Sequence, residues 1–186
     1  MAKGTTIWKT YPCKLKYAKV FNENMDTGLD EEGKPIEADW AETIRKRGGK
    51  YSTEMCITEA TKDKMINDGI PEVVLGYDTF KADDDFEGYP WRIGVKRYVL
   101  TGMKDKDGEP VLNDPPSLGN LKELYEGEDG RTHASHWTWE DGQIGNGTDA
   151  NVTLSIYKNG NKRIIALQKI GLVEVVPYES DELVYY

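Results

Sequence analysis

The sequence predicts a mainly β protein with short inserted helices and long acidic loops, and three observations carry that prediction. Five or more segments alternate apolar and polar residues at the two-residue period of a strand. Nineteen Gly punctuate the chain, while eleven Tyr and five Trp favour pleated, half-buried surfaces. Helical spacing appears only in short runs, near 37–47, 58–68 and 114–127.

Taken in order, residues 12–21 read as a strand, with Cys13, Leu15, Tyr17 and Phe21 on one face and Lys14 and Lys16 on the other. Residues 22–36 are a Gly-punctuated acidic loop. A helix over 37–47 has Glu37, Asp39 and Glu42 early and Arg45, Lys46 and Arg47 late, which suits the helix dipole. Gly48-Gly49 ends it, and Trp40 and Ile44 are placed to dock it on the core. Residues 50–57 alternate Tyr51, Thr53, Met55 and Ile57 as a second strand. A helix follows from Thr58 or Thr61 to Asp68, stopped by Gly69 and Pro71. After a polar loop at 76–88, the strand 89–101 puts Trp91, Ile93, Val95, Arg97 and Val99 on one face. Arg92, Gly94, Lys96 and Tyr98 take the other. Asp107-Gly108 marks a hairpin turn. Residues 114–127 read as a short helix around Leu118, Leu121 and Leu124. Residues 134–139 read as a strand with Trp137 and Trp139 on one side. The last pair, 151–157 and 162–176, is joined by a Lys-Asn-Gly-Asn turn.

At 186 residues the expectation is one domain over 1–178 with a short acidic-aromatic tail at 179–186. Cys13 and Cys56 are the only cysteines, so a disulfide framework is not expected, and both read as small buried hydrophobes in a reducing setting. The N-terminus lacks the apolar core of a signal peptide, and no run approaches about 18 apolar residues, so a soluble, intracellular protein is expected.

The charges are sorted. The net charge is −9, yet residues 1–22, 43–50, 91–104 and 151–169 carry Lys or Arg and no acid. Acids gather elsewhere: seven against one Lys in 23–39, five against one Lys in 78–87. Three of the basic stretches read as strand with Tyr or Trp, and the fourth abuts Tyr51. Cations that neutralise phosphates beside rings that stack on bases are what single-stranded nucleic acid requires of a surface. The candidates are Lys14, Lys16, Tyr17, Arg45, Arg47, Tyr51, Trp91, Arg92, Lys96, Tyr98, Trp137, Trp139, Tyr157, Lys158 and Arg163. Gly94 lies among them and lets a ligand approach the backbone.

Other chemistries find less support. His133 and His136 with two distant cysteines fall short of zinc-ligand spacing. Asp83, Asp84 and Asp85 read as a solvated acidic loop rather than a nuclease's Mg²⁺ site. With no phosphate-binding Gly loop, nucleophile elbow or activated Cys–His pair, neither an enzyme nor a cofactor is expected.

The segment Ile144-Gly-Asn-Gly-Thr148, then Asn151–Tyr157 and Ala166–Tyr178, resembles the C-terminal half of the OB-fold single-stranded DNA-binding proteins of tailed bacteriophages. The resemblance implies an OB-like five-stranded Greek-key barrel that coats single strands in the host cytoplasm during phage replication, recombination and repair. It also implies replication partners for the tail, through Glu179, Asp181, Glu182, Tyr185 and Tyr186, although this tail is shorter than the family's. The rival reading is a β-rich protein–protein module, such as a phage accessory factor, that binds no nucleic acid.

Overall fold

The structure, a computed structural model, describes residues 4–179; the tail residues Asp181, Glu182, Tyr185 and Tyr186 lie outside it. The chain is mainly β. Its longest strands are β1 (Thr5–Lys19), β11 (Thr148–Asn159) and β12 (Lys162–Glu174), with β2 (Lys50–Ile57), β6 (Trp91–Tyr98), β9 (Ser117–Glu126) and β10 (Thr132–His136) completing the main ladders. Two-residue pieces form β3 (Val73–Val74), β4 (Tyr77–Asp78) and β5 (Lys81–Ala82), and β7 (Leu100–Lys104) pairs with β8 (Pro110–Leu112). Helices α1 (Asp39–Lys46) and α2 (Glu59–Asn67) are the two α-helices among the described residues.

One mixed sheet of eight strands runs β10-β9-β12-β11-β1-β2-β6-β5 and does not close. Strand β1 is its pivot: residues 5–15 pair antiparallel with β11, and from Lys14 onward β1 pairs with β2. The sheet curls until β6 runs alongside β12 without a hydrogen-bonded ladder. Arg97 Nη1 spans that seam, donating to Gln168 Oε1 at 2.9 Å. Strand β9 joins the other edge of β12 in parallel.

The concave side is the core. Tyr11, Cys13 and Leu15 of β1 meet Met55 and Ile57, Ile93 and Val95, Val152, Leu154 and Ile156, and Leu167 and Leu172, all buried. Met65 of α2 joins that cluster, and the Thr58 hydroxyl caps the helix by accepting from the Thr61 N–H. Helix α1 buries Ala41 and Ile44 while Trp40 stays 59% exposed, so the expected docking holds for Ile44 and not for Trp40. Four-residue spacing put the two on one stripe, but the eight-residue helix turns only a narrow face inward.

Three more expectations are corrected. Residues 117–126 form β9 rather than a helix: of the three leucines only Leu118 is buried, and the ladder on β12 decides the conformation. The strand expected at 134–139 ends at His136, and Trp139 opens a single 3-10 turn. Tyr17, expected on the core face with Leu15, points outward at 60% exposure. The register of β1 on β2 shifts between Lys16 and Lys19, and Tyr17 takes the left-handed φ of 51°. Its N–H is held by Asn146 Oδ1 at 2.8 Å. A bulge of this kind re-aims a side chain.

The Gly-Asn-Gly-Thr step has a packing reason. Gly145 N–H donates to the Val176 carbonyl at 2.7 Å, and a Cβ there would collide with the Val176 and Pro177 carbonyl oxygens. Gly145→Ala is therefore expected to lower stability by about 2 kcal/mol or more through backbone displacement. Urea unfolding measures it.

Candidate functional site

The outer face of β1, β2 and β6 gathers the candidates by register. Lys14, Cys56 and Arg92 form one row, Lys16, Glu54 and Gly94 the next, and Ser52 then aligns with Lys96 and Lys50 with Tyr98. Lys14, Lys16, Arg92, Lys96 and Tyr98 thus share a face, as alternation required.

The acidic segment after β5 closes over half of it. The Lys16 side chain is 5% exposed and sits between Asp85 and Asp83, the latter 3% exposed with its Oδ2 at 3.1 Å. Arg92 Nη1 lies 3.4 Å from the same oxygen, and the Asp85 N–H donates to Asp83 Oδ1 at 2.9 Å. Asp83 is therefore an ion-pair anchor and not part of a solvated loop. Burial pushes the Asp83 carboxyl up, but the Asp85 N–H, Lys16 and Arg92 outweigh it and hold the carboxyl below its ordinary value of 3.8. For Lys16, burial pulls the ammonium down and the two carboxylates reverse this, raising it. Lys14 is bound to Asp149 at 2.8 Å, with the Tyr89 ring 5.4 Å away. Cys56 lies beneath this cover, fully buried although on the outer side, its thiol pushed up to about 11 by burial and then by Asp83.

Beyond the cover lies an open groove of about 410 Å³ lined by Tyr17, Lys19, Lys50, Glu54, Gly94 and Lys96. Nothing stands within 4 Å of where a Cβ on Gly94 would be, so the backbone is bare at that point of the floor. Lys19 and Lys50 share Asp26, at 3.0 and 3.9 Å, while Lys96 has no ion-pair partner among the described residues. The Tyr98 ring stands between Arg47, 4.6 Å from its centroid, and Lys96, at 5.2 Å. Glu54 is the acid on the floor, and its Oε2 is buried without a hydrogen-bond partner. On the far side of Tyr17 a second groove of about 550 Å³ runs past Asn24, Gln143 and Asn146 to Tyr178 and Glu179.

The remaining candidates lie elsewhere. Tyr51 is buried, donating its hydroxyl to Asn22 at 2.6 Å, so its ring is closed to a ligand. Arg45 ties the acidic loop by donating to the Gly28 and Ile36 carbonyls. Trp91 lies under Lys62, 3.5 Å from the ring centroid, with its indole N–H on Glu59. Trp137 donates to the Gly142 carbonyl, and Trp139 meets Phe21 edge-on at 5.5 Å, so both rings serve packing. Tyr157 and Lys158 are half-buried against Gly4 and Gly69, and Arg163 is exposed at the β11–β12 turn. Lys19, Lys50 and Asn146 join the site although the residue patterns did not single them out; the bulge at Tyr17 brings in Lys19 and Asn146, and the pairing with Tyr98 brings in Lys50.

No family model matches this chain, and no curated protein or solved structure matches it.

Asp83→Asn strands Lys16 with one carboxylate and is expected to cost about 3 kcal/mol in urea unfolding. Asp83 stabilises above its ordinary value of 3.8, and that contribution is lost as pH falls through its lower folded value. The variant's stability should therefore decline less steeply than the wild type's as pH drops below about 4. A thiol reagent at pH 8 should label Cys56 slowly in the wild type and faster in Asp83→Asn, because the cover lies over that sulfur.

Proposed function

We propose that this protein binds single-stranded DNA with little sequence preference on the groove around Gly94, protecting the strand during phage replication, recombination and repair. The observation that carries the reading is Tyr17, turned out of the core by the bulge and set beside Lys19, Lys50 and Lys96, with the Tyr98 ring next to Lys96. Rings that stack on any base, next to cations that follow a phosphate chain, bind single strands without reading sequence. A strand enters the 410 Å³ groove over the bare Gly94 backbone and passes Tyr17 toward Asn146 and Tyr178.

The connectivity supports the same reading. The order β12-β11-β1-β2-β6, with β6 returning beside β12, is consistent with a partly open five-stranded Greek-key barrel. We assign the OB-like fold on this basis, with β9 and β10 added at one edge and α1 and α2 inserted. In such barrels the second and third strands and the loops after the first and fourth strands take oligonucleotides. Here these are β2 and β6, residues 20–49, and the turn next to Lys158, Lys162 and Arg163. The chain beyond Glu179 starts from the wall of the larger groove, which favours a tail that competes with the strand or offers a partner its acids.

A second reading rests on the β3–β4 hairpin. It exposes Val73, Val74, Tyr77 and Leu75, the last 92% exposed, as an apolar knob suited to a protein contact.

Titration of tryptophan and tyrosine emission with a roughly 30-nucleotide thymidylate strand, and with duplex, separates the two. Single-strand binding should weaken with salt at about −0.7 in log–log slope per phosphate engaged. Lys50→Ala with Lys96→Ala should flatten that slope by about 1 to 1.5. Glu54→Gln, which removes the floor's charge, should tighten binding several-fold. No binding of either nucleic acid at low salt would transfer the assignment to the hairpin's protein contact.

A further inference from the structure

The outer face carries another groove on the opposite wing of the sheet, about 510 Å³ in volume, between β1, β11 and β12 and the arm formed by β9 and β10. Its floor follows the register: Thr10 lies opposite Thr153, Thr153 opposite Lys169, and Lys169 opposite Ser117. The Thr10 and Thr153 hydroxyls are 2.8 Å apart. Each of these four residues carries a hydroxyl or an ammonium.

One glycine lets the arm approach the floor and another lets its two strands pack closely. A Cβ on Gly171 would come within 3.0 Å of Leu121, and one on Gly119 within 3.0 Å of Ala134. The overhang presents Tyr125 and His133, stacked at 5.7 Å with an interplanar angle of 30°. At the rim, Trp8 is 52% exposed, with the Lys169 ammonium 5.5 Å from its ring.

Charge sets this groove apart. The chain carries 33 acids, yet among the described residues no carboxylate lines it. Two neighbouring acids are engaged by other groups: Asp129 by His133 at 3.0 Å and Glu174 by Lys122. A surface of this overall charge that furnishes one slot with hydroxyls, an ammonium and two stacking elements, and lines it with no described acid, fits an anionic ligand with flat rings.

We infer that this groove is a second single-strand subsite, in which Trp8 and the Tyr125–His133 pair stack on bases while Lys169, Thr10 and Thr153 hold the sugar–phosphate chain. The inference rests on the single-strand reading proposed above. Thr10 and Lys14 stand on the same face of β1, so the two grooves lie on one side of the sheet, separated by the Lys14–Asp149 pair and the acidic segment that holds Lys16. One long strand then engages both wings of the same molecule, and its occluded length exceeds what the Gly94 groove alone would hide.

The test compares wild type, Trp8→Ala with Tyr125→Ala, and Lys169→Glu, each checked for native fold by circular dichroism. The probe is a roughly 30-nucleotide thymidylate strand, read by emission quenching for affinity and by titration at stoichiometric concentration for nucleotides occluded per protein. The double variant should bind at least about tenfold more weakly, since each stacked base contributes severalfold or more, and it should occlude fewer nucleotides. Lys169→Glu should weaken binding in the same direction without removing a ring. If both variants keep wild-type affinity and occluded length, the second subsite is overturned while the Gly94 groove stands. If the wild type itself binds no single strand, the functional reading fails and this inference falls with it.

Discussion

The fold depends on what strand β1 has to do in its 15 residues. It is the one strand that holds the two wings of the sheet together, β11 and β12 on one side, β2 and β6 on the other. Two ladders that curl toward each other cannot share a straight strand without strain, and β1 relieves the strain by shifting register after Lys16. The left-handed backbone at Tyr17 is uncommon for a bulky residue, and the Asn146 side chain stabilises it by accepting that residue's N–H. Three features follow from that local distortion: the approach of β6 to β12, the outward Tyr17 ring, and the two grooves that meet beneath it.

Charge sorting along the chain becomes charge pairing in space. The basic strand face and the acidic segment at 83–85 occur far apart in sequence because they meet through the fold, with Lys16 and Arg92 sharing Asp83. A lysine this buried is tolerable only because two carboxylates surround it. The same pairing narrows the usable cations to those outside the cover, which moves the centre of the candidate surface toward Lys19, Lys50 and Lys96.

Much of the architecture was legible from periodicity. The strands around 50–57, 151–157 and 162–176, both α-helices and the hairpin at Asp107-Gly108 stand where alternation, caps and turn residues put them, while the strand expected over 89–101 ends at Tyr98 and Leu100 opens β7 of another sheet. What was not legible depended on partners distant in sequence. Leu118, Leu121 and Leu124 have helical spacing, yet β12 offers a ladder that a helix could not use. Trp137 and Trp139 share a parity that means nothing once the strand has ended at His136. At the candidate surface, alternation placed Lys14, Lys16, Arg92, Lys96 and Tyr98 together correctly. It gave no hint that Asp83 would claim two of these cations, or that the bulge would turn Tyr17 from the core to solvent. Spacing reports faces; it does not report what lies over them.

The two ends of the eight-stranded sheet are short. One is β5, two residues long and followed at once by three aspartates; the other is β10, five residues with a histidine at its end. Unpaired backbone along a sheet margin is a template for another chain, and brevity and charge are how such margins are blunted. Copies meeting at these two terminal strands therefore find little main chain there to pair with.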